Sequence, residues 1–123
     1  MGGMTLLVVD GANVVGSVPD GWWKDRAGAA VRLRERLRPL AAAGLPGLPP
    51  PLDVVLVVEG RAQGIGAAPE VSVVDAPGSG DDTIVDLVRD AEDPAVVVVT
   101  ADRGLRERVT ALGADVLGPR SVR

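Results

Sequence analysis

Four short runs in this chain are apolar along nearly their whole length: Leu6–Val9, Asp53–Val58, Val71–Val74 and Ala95–Val99. They do not alternate between apolar and polar residues. An unbroken apolar run of this length is the pattern of a strand buried on both faces, as in a parallel sheet covered by helices. The first run passes directly into Asp10-Gly11-Ala12-Asn13, the second into Glu59-Gly60, the third into Asp75, and the fourth into Thr100-Ala101-Asp102. In open parallel sheets the carboxyl ends of the strands are where ligands bind. Gly11 is expected to let the backbone turn at once behind Asp10 and to let a ligand come close.

Between the strands the expected elements follow in order. Val14 to Gly21 reads as a loop, with Gly16, Pro19, Asp20 and Gly21 as turn residues. A long helix is expected from about Trp22 to Ala43, with Leu33, Leu37 and Leu40 on its buried stripe and Gly44 at its end. Gly44 to Leu52 is a Pro/Gly-rich connector, and Arg61 to Pro69 an irregular stretch. Ala76 to Gly80 is a turn that delivers Asp81 and Asp82 to a helix running to about Ala91, with Ile84, Leu87, Val88 and Ala91 buried. Arg103 to Leu112 is a further helix closed by Gly113, and Asp115–Leu117 a short edge strand. The alternation predicts one domain over residues 1–123, a three-layer α/β/α sandwich on a mostly parallel sheet of about five strands. Right-handed crossovers then bring the strand ends to one edge.

The residues that are missing narrow the chemistry. The 123 residues include no histidine and no cysteine, which removes Ser-His-Asp triads, His- or Cys-ligated zinc and thiolate catalysis. The single lysine, Lys24, follows no phosphate loop, and Gly64-Ile65-Gly66 meets Pro69 where a dinucleotide fingerprint requires glycine. No apolar run approaches the ~20 residues of a membrane helix. With no visible secretory signal, a cytoplasmic setting is expected. What remains is carboxylates, which suit hard cations such as Mg2+ or Mn2+.

Asp10, Glu59, Asp81 with Asp82, and Asp102 all fall at strand ends or in the loops that leave them. Each also has an ordinary use. Asp10 can begin a turn, Glu59 can close a strand at the surface, and Asp81, Asp82 and Asp102 can cap helices. Asn13 can be a turn residue or can orient a metal-bound water or a phosphate. The functional reading rests on convergence, because acids gathered on one edge repel one another and call for a cation. Lys24, Arg26, Arg32, Arg34, Arg36 and Arg38 oppose only Asp25 and Glu35, in a chain of net charge −4. That segment is either a solvated face or a surface that contacts phosphates.

The stretches VVDGANVVG, VVEG, GSGDDTIVDLV and VVVVTADRGL, in this order, resemble the NYN/PIN-like nuclease superfamily, nearest to its YacP-like branch. The resemblance implies a fold like that of flap and PIN nucleases and the activity of a metal-dependent endoribonuclease. It implies that Asp10 is the central metal ligand, with Asn13 its neighbour. Asp81 matches the acid three residues before an isoleucine, here Ile84; Asp82 is a secondary acid; and Asp102 matches the acid after the fourth strand. Mg2+ or Mn2+ is then expected on Asp10, Asp81 and Asp102, with Glu59 and Thr100 behind them. Glu59 stands where relatives often have aspartate before glycine.

RNA is the expected partner, touched by Trp22, Lys24, Arg26, Arg32 and Arg103. Trp22 and Trp23 are the only aromatic residues. One of them is expected to pack in the core while the other stacks on a base, with packing or a homodimer contact as the plainer use of both. Two other functions fit the same residues: an RNA-binding module without useful catalysis, and a small nucleotide phosphohydrolase that would need Arg61 or Arg103 beside the acids.

Overall fold

The computed structural model describes Met4 to Arg123. Five strands form one sheet: β1 (Thr5–Asp10), β2 (Leu52–Val58), β3 (Val71–Asp75), β4 (Ala95–Val99) and β5 (Asp115–Leu117). Their order is β3-β2-β1-β4-β5 and every pairing is parallel. The helices are α1 (Gly11–Gly16), α2 (Arg26–Leu37), α3 (Leu40–Ala43), α4 (Gly80–Asp90) and α5 (Arg103–Ala111).

The inner strands β1 and β2 and the end of β4 bury both faces as expected, whereas β3, read as buried on both faces, is an edge strand with Ser72 exposed and Val73 and Val74 half-buried. Leu7 and Val9 of β1 join Leu33 and Leu37 of α2 in one core layer. Leu6 and Val8 join Ile84 and Val88 of α4 and Leu105 and Val109 of α5 in the other. Side chains alternate along a strand, so Asp10 continues the Leu6 and Val8 series and points towards the α4/α5 layer. The order of the strands reverses between β1 and β4. At such a switch point the connections leave in opposite directions and open a crevice at the strands' carboxyl ends. Asp10 ends β1 there, and Thr100 to Asp102 leave β4 beside it.

Two expected elements differ. The stretch read as a loop after β1 begins as helix α1, because Asp10 caps it by accepting from the Asn13 N–H at 3.4 Å and Val14 is buried. The helix expected from Trp22 to Ala43 is three pieces. Trp22–Lys24 is a 3-10 turn, and Asp25 starts α2 as its N-cap, accepting from Gly28 N–H at 2.9 Å. Pro39, which has no N–H to donate, separates α2 from α3. Gly44 ends α3 with φ 71°, a value that favours glycine.

Gly11 has a different reason from the one expected. A Cβ there would lie 2.6 Å from the carbonyl oxygen of Val57, so glycine lets α1 start against the β2 backbone. Neither tryptophan is in the core: Trp22 is half-buried and Trp23 is 55% exposed.

Candidate active site

Asp10 is 6% exposed, and its Oδ2 accepts a hydrogen bond from the fully buried Thr100 hydroxyl at 2.8 Å. The same hydroxyl accepts from Asp102 N–H at 3.1 Å. Asn13 Oδ1 accepts from Ala101 N–H at 2.8 Å. Thr100 and Asn13 therefore bind the end of β4 to the end of β1, and every polar side-chain atom buried here has a partner. Asn13 holds the backbone of the facing loop with its amide oxygen, and no described residue accepts from its amide N–H2.

Glu59 leaves the end of β2 and accepts from the Gly80 N–H, the first residue of α4. Ser79 caps the same helix by accepting from Asp81 N–H at 3.2 Å. Asp81 lies three residues before Ile84, on the side of α4 that carries the buried Ile84, Val85 and Val88. It is thereby held towards the sheet edge, half-buried, and no described residue donates a hydrogen bond to its carboxylate. Asp82 is one residue further round the helix and faces out, where it pairs with Arg108 of α5 at 3.1 Å. Asp102 caps α5 through Leu105 N–H at 2.8 Å and is exposed.

These positions set the electrostatics. Burial raises the Asp10 carboxyl to about 6, the Thr100 and Asn13 hydrogen bonds oppose the rise, and the charges of Asp81 and Glu59 add to it. Asp81 is also raised, first by burial and then by the charges of Asp102 and Glu59. The acids singled out in the sequence thus converge on one edge, with the exception of Asp82. They offer only oxygen donors, the chemistry of a hard divalent cation. Among the described residues, no three of them are grouped closely enough to hold an ion as they stand.

A cleft of about 360 Å³ opens at the carboxyl ends of β1 and β2, walled by Gly11, Ala12, Val15, Trp22, Arg26, Ala30, Val58, Glu59, Ala62 and Ser79 among others; of the acids at the strand ends only Glu59 lines it, while Asp10 lies one residue before its wall. The Arg26 guanidinium sits over the Trp22 ring at 5.2 Å, and Trp23 meets Trp22 edge-on at 6.0 Å. The expected RNA contacts are therefore divided. Trp22 and Arg26 line the cleft, whereas Arg32 lies in a separate recess with Asp20, Arg36 and Arg123. Lys24 and Arg103 are exposed. Arg34 and Arg38 serve the fold: Arg34 donates to the carbonyls of Ile65 and Gly66 at 3.0 Å, and Arg38 pairs with Glu35 and Glu70. Sequence reasoning passed over Ser79 and Gly80, whose signal was a Gly-Ser-Gly turn directly before Asp81.

A five-stranded parallel sheet between helical layers, with acids at its switch point, defines a PIN-like α/β/α domain. Two solved structures share it, both of Rae1 (YacP) from Bacillus subtilis. One aligns with TM-score 0.77 and 20% identity over 96% of this chain and 71% of its own. The other, a mutant form, aligns with TM-score 0.75 and 19% identity over 97% and 72%. The likeness to the YacP-like branch read from the motifs is borne out at the level of the fold. The sequence matches no protein-family model and no curated protein. No helix among the described residues is long and apolar enough to cross a membrane.

Proposed function

We propose that this chain is a metal-dependent endoribonuclease whose centre is Asp10. The observation that carries the reading is the buried Asp10 carboxyl at the switch point, raised to about 6 with Asp81 and Glu59 acting on it through charge. A chain does not gather such groups for stability, since each raises the cost of ionising the next. Asp10, Asp81 and Asp102 would hold Mg2+ or Mn2+, and Asp81 is the acid least committed to hydrogen bonds. When bound, such an ion lowers the pKa of a water and offsets charge on a phosphodiester. Thr100 and Asn13 fix Asp10 and the β4–α5 loop in relation to each other. Trp22 and Arg26 supply a surface for the nucleotide beside the acids. The fold shared with Rae1 (YacP) supports the same reading.

A second reading, RNA binding without cleavage, is favoured by one observation: both Asp10 oxygens and one of Asp102 are already hydrogen-bonded, and among the described residues no three acids form a ready site. Incubating the chain with single-stranded and structured RNA, with Mn2+, Mg2+ or a chelator, separates the two. Internal cleavage that needs the ion and is lost in Asp10→Asn supports the nuclease. RNA binding with no cleavage under any ion supports the second reading. Turnover of free nucleotides but not of RNA would instead favour the phosphohydrolase.

A further inference from the structure

The cleft beside Asp10 combines three features that a phosphate site alone would not. Its walls are mostly apolar, from Gly11, Ala12, Val15, Ala30, Val58 and Ala62. It holds one aromatic ring, Trp22. It holds one cation and one anion, Arg26 and Glu59. A carboxylate repels phosphate, so the group that sits against Glu59 is a neutral one that carries N–H donors. Glu59 gives Oε2 to the Gly80 N–H, and no described residue donates to Oε1. The Arg26 guanidinium carbon lies 5.2 Å from the Trp22 ring centroid, and its N–H groups donate to no described residue, so they are available to a ligand.

We infer that this cleft is a nucleobase pocket that selects guanine. A flat heterocycle suits a cleft with apolar walls and an aromatic side. Guanine presents N7 and O6 as paired acceptors, the pattern that an arginine edge meets with two hydrogen bonds. Its Watson–Crick edge presents N1–H and N2–H2 together, two donors that a carboxylate accepts. Adenine has a donor at N6 but none at N1, uracil has a single donor at N3, and cytosine has a donor only at N4. Guanine alone offers Arg26 a two-point partner and offers Glu59 two adjacent donors that its one uncommitted oxygen, Oε1, can accept. Glu59 and Arg26 are then specificity residues, and neither is required to touch the reacting atoms. The inference rests on the reading of the Asp10 edge as an RNA-cleaving site, because it places the guanine in the nucleotide next to that edge.

The test is binding rather than turnover, so that it stands apart from the nuclease reading. The whole chain is titrated with GMP, AMP, CMP and UMP in the presence of a chelator, and binding is followed by the quenching of tryptophan fluorescence. GMP is expected to bind tighter than each of the others by roughly tenfold or more. Glu59→Gln keeps a carbonyl oxygen for the Gly80 N–H and replaces the other oxygen with a donor, so it should erase most of that preference. Arg26→Ala should weaken GMP the most. Folding of both variants is checked by circular dichroism, and the preference of the wild-type chain is a test that needs no variant. Equal affinities for the four nucleotides, or no binding of any at millimolar concentration, overturn the inference. If the chain cleaves RNA yet shows no preference for GMP, the nuclease reading stands and the guanine pocket falls. If it prefers GMP yet cleaves nothing, the reverse holds.

Discussion

Thr100 Oγ1 donates to Asp10 Oδ2 at 2.8 Å across the gap between the two strands that flank the switch point, with both groups buried. The same oxygen accepts from Asp102 N–H, so one hydroxyl links the carboxylate to the start of α5. Thr100→Val keeps the shape and removes the hydroxyl. It leaves the Asp10 oxygen and the Asp102 N–H without their partner, which costs about 1–3 kcal/mol in a buried setting. The bond favours the ionised carboxyl, so the loss should be larger at pH 8 than at pH 5. Urea denaturation at the two pH values checks this; an equal loss at both shows that the bond does not favour the carboxylate. Thr100→Ser should recover most of the difference.

The raised Asp10 carboxyl makes stability depend on pH in a stated direction. In the folded chain it titrates at about 6. In the unfolded chain it titrates near ~4. Between those values the folded state binds more protons than the unfolded one. Stability from this group therefore falls as pH rises from about 4 to about 6, and stays lower above that window. The shift corresponds to about 3 kcal/mol. Asp10→Asn removes the titration, so it should be more stable than the wild type by about 1–3 kcal/mol at pH 8 and nearly equal to it at pH 4. The same variant should lose RNA cleavage. A variant no more stable than the wild type at pH 8 contradicts the assignment of burial as the dominant cause.

Gly11→Ala tests the close approach of α1 to β2. The added methyl would stand 2.6 Å from Val57 O and 3.2 Å from Leu56 Cδ1, and the first of these is backbone that cannot rotate away. Overpacking of this kind costs about 1–3 kcal/mol. Because Gly11 directly follows Asp10, the shift that relieves the clash also moves Asp10. Thermal melting should fall, and RNA cleavage should fall further than the loss of folded protein explains. Unchanged melting would show that the two elements have room to separate.

The strands β1 to β4 were legible in the sequence because each is an apolar run with an acid at its end or within three residues of it, and the observed β4 is Ala95–Val99 as read. The inward Asp81 and outward Asp82 were legible in principle, since only Asp81 keeps helical spacing with Ile84 and Val88. The helix α1 was not, because Gly-Ala-Asn-Val-Val-Gly has weak helix propensity and forms through the Asp10 cap and the burial of Val14. The break at Pro39 was visible in the residue itself and was missed because the Leu33, Leu37, Leu40 spacing continues across it. The uses of Arg34 and Arg38 lay outside local reading. Their partners Ile65, Gly66 and Glu70 are about thirty residues away and meet them only once β3 is in place. The bond between Glu59 and Gly80 N–H is of the same kind.

The two tryptophans should behave differently when removed. Trp22 lines the cleft, carries Arg26 on its face and packs near Gly16, whereas Trp23 is 55% exposed and touches Trp22 by its edge. Losing a half-buried indole and its cation partner should cost Trp22→Ala about 1–3 kcal/mol. Trp23→Ala should change stability by about 0.5 kcal/mol or less, as a surface substitution does. A Trp23→Phe chain keeps Trp22 as its sole tryptophan. Its fluorescence should be quenched by a non-cleavable, guanine-containing single-stranded RNA, because base stacking on an aromatic contributes ~1–3 kcal/mol. The RNA affinity should weaken as salt rises, since the cations of the basic segment that meet phosphates, such as Lys24, release counterions from them. Quenching retained in the reverse variant, Trp22→Phe, and absent from Trp23→Phe would move the RNA contact from the cleft to the exposed ring.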